Sequence, residues 1–156
     1  MSGDVTRRSA VGLVAAILVL QRSPVEAESS AILVHKDPNC SCCTGWVRHL
    51  KEAGFAVTVN DVKDLRPVRK RLGVPADLAA CHTAEVDGYV LEGHVPAMAV
   101  RQLLEQRPKA IGLAVPGMPV GSPGMEGGTP ERYAAVLFGA NGRQPFMHFV
   151  GAENAD

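Results

Sequence analysis

The sequence has no excess of charge of either sign. Sixteen Lys and Arg balance sixteen Asp and Glu in 156 residues. A general nucleic-acid binder needs a basic surface to neutralise phosphates, so that class is excluded. Aromatic residues are also scarce, at one Trp, two Tyr and four Phe, too few for a base-stacking platform. No apolar run reaches the ~18–20 residues of a membrane-spanning helix. A second C-x-x-C is missing, which argues against a zinc ribbon. The four cysteines are few, but three of them fall within four positions, 40, 42 and 43.

The N-terminus reads as an export signal over residues 1–27. Arg7 and Arg8 form a basic start, and Ala10 to Leu20 is an eleven-residue apolar run. That run is too short to span a bilayer and right for a signal core. Val25-Glu26-Ala27 supplies the small residues of a cleavage site. The paired arginines suggest the twin-arginine route, which a receptor reads; the alternative is an uncleaved anchor. Removal takes three basic residues (Arg7, Arg8, Arg22) and two acidic ones (Asp4, Glu26), leaving 13 basic against 14 acidic. The expectation is a periplasmic or otherwise exported single domain over 28–156, with no membrane contact once the signal is cleaved. A domain of that size buries about two-thirds of its unfolded surface and needs no disulfide staples.

The mature chain alternates strand and helix patterns. Ala31 to His35 is a buried-strand run, and Lys36 to Asn39 a turn. A helix is expected from about Thr44 to Ala53, with Trp46, Val47, Leu50 and Ala53 on one face and Gly54 as its stop. Phe55 to Asn60 alternates as a second strand. Asp64 is placed to cap a short helix ending at Leu72-Gly73. The basic residues Arg66, Arg69, Lys70 and Arg71 of that helix read as a solvated face rather than an anion site. Cys81 to Val86 and Tyr89 to Val95 flank Asp87-Gly88, a hairpin signal. A helix over about 96–106 follows, opened by Pro96. Residues 112–130 hold six Gly and four Pro and read as a long structured loop. Tyr133 to Phe138 and Pro145 to Val150 close the chain as a hairpin around Asn141-Gly142. The order β-α-β-α-β-β-α, with a cysteine motif after the first strand, is that of an α/β, thioredoxin-like domain. It has a mixed central sheet flanked by helices, with the Gly/Pro loop and C-terminal hairpin appended.

Cys40 and Cys43 are spaced C-x-x-C at a helix start, where backbone N–H groups and the helix dipole stabilise a thiolate. Cys42 adds a third sulfur, one more than a dithiol oxidoreductase needs. Three thiolates on one turn suit Cu(I) or, as the lesser alternative, Zn(II). Cys81, at the start of the third strand, is placed to supply a fourth sulfur or a resolving thiol. The plain alternative is a structural disulfide, Cys40–Cys43 or Cys43–Cys81. Among the histidines, His94 at a strand-to-helix junction is a candidate ligand or a cap. His82, next to Cys81, should face the other way, since neighbouring strand residues alternate, and reads as a loop or core hydrogen-bonding residue, with ligation the lesser alternative. His35 could line the cleft, while His49 and His148 read as surface or packing residues. Met118 and Met125 in the Gly/Pro loop are candidate thioether ligands, which suit Cu(I) and scarcely bind zinc; the competing role is gap filling. Met98 and Met147 read as packing residues.

Several stretches together resemble one family. These are Asp37 to Cys43 (DPNCSCC), Cys81 to Ala84 (CHTA), Gly88 to Pro96 (GYVLEGHVP), Gly112 to Pro119 (GLAVPGMP) and Gly121 to Glu126 (GSPGME). In this order they resemble the CopG-type proteins, small exported metal-binding proteins associated with copper resistance. The resemblance spans roughly residues 31–150. It implies a thioredoxin-like fold and copper binding through Cys40, Cys42 and Cys43, with Cys81 as fourth thiol. Two functions follow as expectations. One is capture of Cu(I) for resistance, buffering or transfer to another periplasmic copper-handling protein. The other is a thiol–disulfide or copper oxidoreductase, in which Cys40 attacks and Cys43 resolves.

Overall fold

The computed structural model describes residues 30–156, and the predicted export signal lies outside them. Twelve elements follow one another. Strand β1 (Ile32–Lys36) leads to helix α1 (Ser41–Glu52), β2 (Val57–Asp61) and α2 (Arg66–Leu72). A 3-10 turn (Ala76–Leu78) precedes β3 (His82–Val86), β4 (Tyr89–Glu92) and α3 (Ala97–Gln106). The chain ends with β5 (Gly112–Ala114), β6 (Arg132–Gly139), β7 (Gly142–Val150) and β8 (Glu153–Asn154). All strands join one open sheet in the order β2-β1-β3-β4-β5-β6-β7-β8. The β1/β2 and β4/β5 pairs are parallel and the rest antiparallel.

Alternation along the strands divides the apolar residues between two faces. Leu91, Leu113 and Leu137 belong to the main core, with Trp46, Val47 and Leu50 of α1 and Val100 and Leu103 of α3. Their neighbours Val90, Ala114 and Phe138 form a smaller cluster with Leu78, against which Leu72 packs. So α1 and α3 cover one face, and α2 with the 3-10 turn covers part of the other. Helix α1 is held because Cys43, Trp46, Val47 and Leu50 recur on one stripe and are all buried. The Trp46 indole N–H donates to Val95 O at 2.8 Å, tying α1 to the start of α3.

Several expectations need correction. Residues 112–114 are not loop: β5 sits mid-sheet, fully buried, between β4 and β6. A three-residue strand is too short to show a period. Through it the C-terminal hairpin continues the sheet instead of being appended to it, and β8 adds a further short strand. Helix α1 starts at Ser41, three residues earlier than read, so Cys42 and Cys43 are inside its first turn. Leu65, not Asp64, is the N-cap residue of α2, though Asp64 accepts from Arg66 N at 2.9 Å. Cys81 lies one residue before β3. The Asp87-Gly88 turn is as expected, with positive φ at both residues (47° and 83°), which joins strands of matching twist.

Candidate metal centre

The site forms where three connections meet: β1 to α1, the 3-10 turn to β3, and β4 to α3. A turn anchored by Cys40 N to Asp37 O at 3.1 Å brings the chain from β1 into α1. Cys40 is the N-cap, and its sulfur accepts from Cys43 N at 3.3 Å. No acidic side chain occupies the first turn, so the positive end of the helix faces the sulfurs alone.

Cys40 and Cys43 are joined by a disulfide, while Cys42 and Cys81 are free thiols. This is one of the two structural pairings the sequence left open. In this state Cys40 and Cys43 offer no thiolate, so the expected set of four cysteine ligands exists only after reduction. The sulfurs nonetheless form one chain. Cys42 Sγ stands 3.4 Å from Cys40 Sγ and 3.8 Å from Cys81 Sγ. Beyond it, Cys81 Sγ stands 3.0 Å from Met118 Sδ. Ligand atoms of Cys42, Cys81 and His94 all lie within 4.8 Å of one another, and so do those of Cys40, Cys42 and Cys43.

His94 is fully buried. Its Nδ1 is 2.7 Å from Pro123 O, and a carbonyl only accepts, so Nδ1 carries the proton. The lone pair is then on Nε2, which is buried and has no partner. An orphaned buried acceptor costs about 1–3 kcal/mol. A metal ion beside Cys42 and Cys81 would satisfy it, and an imidazole held through Nδ1–H to a carbonyl is the usual support of a ligating histidine. Burial lowers the His94 pKa and keeps the ring neutral, as ligation requires.

Two glycines make this possible. A Cβ on Gly45 of α1 would sit 2.9 Å from Gly124 Cα, and one on Gly124 would sit 2.8 Å from Trp46 N. The loop backbone therefore lies directly on α1, which carries Pro123 O to His94. The loop is braced from within, by Met125 N to Ser122 O at 2.7 Å and Glu131 N to Val120 O at 2.9 Å.

A buried carboxylate secures Cys81. Glu92 of β4 is fully buried. It accepts from Ala80 N at 2.7 Å, from Thr83 Oγ1 at 2.6 Å and from Arg69 Nε at 2.9 Å. Arg69 also donates to Ala80 O. The peptide before Cys81 is thus gripped on both sides. Burial, more than any neighbour, raises the Glu92 pKa. It also pushes the Cys81 thiol up to about 11, with the adjacent Cys42 adding to the effect and Arg69 opposing it. The solvated reading of the α2 basic face fails at Arg69, whose side chain is 17% exposed. A basic run shows no sign of which member turns inward.

The remaining candidates separate. Met118 is 53% exposed and covers Cys81 from the solvent side. Met125 is half-buried, and no sulfur–sulfur contact joins it to the cysteines among the described residues. His82 is fully buried, 4.2 Å from the Trp46 ring and 5.1 Å from the His94 ring between centroids, and does not make the hydrogen bonds expected of it. Neither of its ring nitrogens has a partner. His35 bonds Glu85 at 2.9 Å and Asn60 at 3.0 Å, away from the sulfurs. His49 accepts from Ala97 N at 3.0 Å and caps α3, a role its mid-helix position did not announce.

A family model described as a protein of unknown function, DUF411, matches residues 78–125. Two solved structures of a copper resistance protein CopG also match. Form 1 is 44% identical, over 80% of this chain and all of that one, with a TM-score of 0.73. Form 2 is 43% identical, over 83% of this chain and all of that one, with a TM-score of 0.70. This chain belongs to the CopG family. Curated proteins give no match. Within this CopG-family chain, Cys81, His94, Met118 and Met125 lie inside the segment matched by the DUF411 model, whereas Cys40, Cys42 and Cys43 precede it. The fold, not proximity in sequence, brings the two groups together. No helix among the described residues is long and apolar enough to cross a membrane.

Proposed function

We propose that this protein captures copper as Cu(I) in a soft site whose first ligands are Cys42, Cys81 and His94. The observation that carries this reading is a buried His94 whose ring offers a ligand nitrogen within 4.8 Å of two free thiols while its Nε2 has no partner. Two thiolates and a neutral imidazole also suit zinc, but a thioether scarcely binds zinc, and Met118 Sδ stands beside Cys81. Reduction of Cys40–Cys43 adds two sulfurs next to Cys42, giving room for more than one copper ion. The copper-resistance relatives support the choice of metal. The strand order β2-β1-β3-β4, with α1 leaving β1 at the cysteines, supports a thioredoxin-like core. The paired arginines and apolar run of the N-terminus support export to the periplasm. There the protein would buffer copper or pass it to another copper-handling protein.

Competition against a Cu(I) chelator tests the site. The native protein should retain copper, and His94→Ala should weaken it by at least the 10–100-fold that loss of a ligand's supporting partner costs. Equal affinity in the variant would remove His94 from the site.

A second reading rests on the disulfide at the start of α1. Cys40 is partly exposed and Cys43 buried, the usual division between an attacking and a resolving thiol. On that reading the reduced pair transfers two electrons to a substrate disulfide and returns to Cys40–Cys43. Reductase activity that survives Cys42→Ser while copper binding is lost would favour this role.

A further inference from the structure

The two free thiols are not independent of the disulfide. Cys42 Sγ lies between it and Cys81, 3.4 Å from Cys40 Sγ and 3.8 Å from Cys81 Sγ. The N-cap Cys40, Cys42 and Cys43 of the first turn, and the distant Cys81 therefore lie in series. We propose that the protein relays its disulfide internally, from Cys40–Cys43 to Cys42–Cys81, by two successive thiol–disulfide exchanges.

In the first exchange the Cys42 thiolate attacks Cys40 Sγ. The Cys40–Cys42 bond forms, the Cys40–Cys43 bond breaks, and Cys43 leaves as a thiolate that takes up a proton. The freed Cys43 thiol has an acceptor in place, since its sulfur is 3.7 Å from Cys81 O. In the second exchange the Cys81 thiolate attacks Cys42 Sγ. The Cys42–Cys81 bond forms, the Cys40–Cys42 bond breaks, and Cys40 leaves as a thiolate that then takes up a proton. Its sulfur stays at the N-terminus of α1 beside the Cys43 N–H, where a thiolate is stabilised. Two protons pass, through solvent, from Cys42 and Cys81 to Cys40 and Cys43. One disulfide and two thiols are present before and after, so no oxidant or reductant is consumed.

The consequence is a protein with two faces. With the disulfide at Cys40–Cys43, the two part-exposed thiols, Cys42 and Cys81, are open to a ligand beside His94. With the disulfide at Cys42–Cys81, those sulfurs are closed and the helix-start dithiol is free. The exchange itself needs no metal, so it stands or falls apart from the copper reading.

The test uses metal-free protein carrying one disulfide, held at pH 8 and trapped at intervals with excess N-ethylmaleimide. Trypsin releases residues 37–48, with Cys40, Cys42 and Cys43, and residues 72–101, with Cys81. At first each peptide should carry one label, on Cys42 and on Cys81. A cross-linked pair should then accumulate, labelled on Cys40 and Cys43. The rate should be first-order, independent of protein concentration, over the minutes to hours of uncatalysed exchange. In Cys81→Ser the relay should stop halfway, with label moving from Cys42 to Cys43. Label confined to Cys42 and Cys81 at all times would overturn the proposal. So would a concentration-dependent rate, or cross-linking of the two peptides in Cys42→Ser, which would mean that Cys81 attacks the disulfide directly.

Discussion

Gly124→Ala should destabilise the protein and disturb the metal site together, and the two contributions can be worked out separately. Gly124 has φ of +92°, which costs a residue with a side chain about 1–2 kcal/mol. Its Cβ would also run into Cys42 O, stand 2.8 Å from Trp46 N and 3.3 Å from His94 Nδ1. The first two are helix backbone and cannot rotate away, so overpacking adds about 1–3 kcal/mol. Gly142 is the matched control: its φ is +89° and nothing lies within 4 Å of its Cβ position. Gly142→Ala should therefore cost only the backbone strain, about 1–2 kcal/mol. Urea titration of both variants reads the difference directly, at roughly 1–3 kcal/mol. Because relief of the clash lifts the loop from α1, Pro123 O should withdraw from His94, and Cu(I) affinity should fall in Gly124→Ala alone. Equal destabilisation of the two variants, with copper affinity intact in both, would refute the close approach of loop and helix.

Other outcomes follow from the same geometry. Glu92→Ala leaves Arg69 and Ala80 N without their partner; loss of one member of a buried pair costs about 3–5 kcal/mol, measurable by denaturation. Maleimide should then label Cys81 faster, because the segment that buries it is released. Glu92→Gln, whose amide can still accept from Ala80 N, should restore most of both. Stability should also fall with acid. His82 is held down to about 3, first by burial and then by the nearby His94, and burial lowers His49 as well. A depressed folded pKa means the unfolded chain takes up the proton first. The stabilisation is complete above about pH 6.5 and is lost as pH falls toward the folded values. For His82 that loss approaches about 5 kcal/mol near pH 3, at 1.36 kcal/mol per pH unit. Urea midpoints at pH 7, 5.5 and 4.5 should fall steadily in the native protein, and less steeply in His82→Phe. At pH 7 that variant sheds two orphaned nitrogens but must seat a larger ring, so the slope with pH, not the value at pH 7, reads the titration.

The parts of this molecule legible in its sequence are those governed by local chemistry. Asp87-Gly88 announced its hairpin because few residues accept two successive positive φ values. The α1 stripe was legible because Trp46, Val47 and Leu50 repeat at the helical period. The cysteine spacing placed a sulfur cluster at a helix start. What escaped depends on partners far along the chain. Strand β5 has only three residues and is defined by the neighbours that bury it. Arg69 looks like Lys70 and Arg71 until Glu92, 23 residues on, is placed beside it. The proton on His94 is assigned by Pro123, 29 residues away, and so is the lone pair that makes it a candidate ligand. Past β5 the density of glycine and proline marked an ordered loop, but not the contact between Gly45 and Gly124 that seats it.

On the proposed function, Cys42, Cys81 and His94 hold copper. Metal content and thiol accessibility, measured together on protein purified without added metal, decide it. Copper should be found in the protein, with Cys42 and Cys81 protected from maleimide until a Cu(I) chelator removes the metal. Zinc in place of copper, or metal-free protein whose Cys42 and Cys81 react at once with no change on adding the chelator, would contradict it.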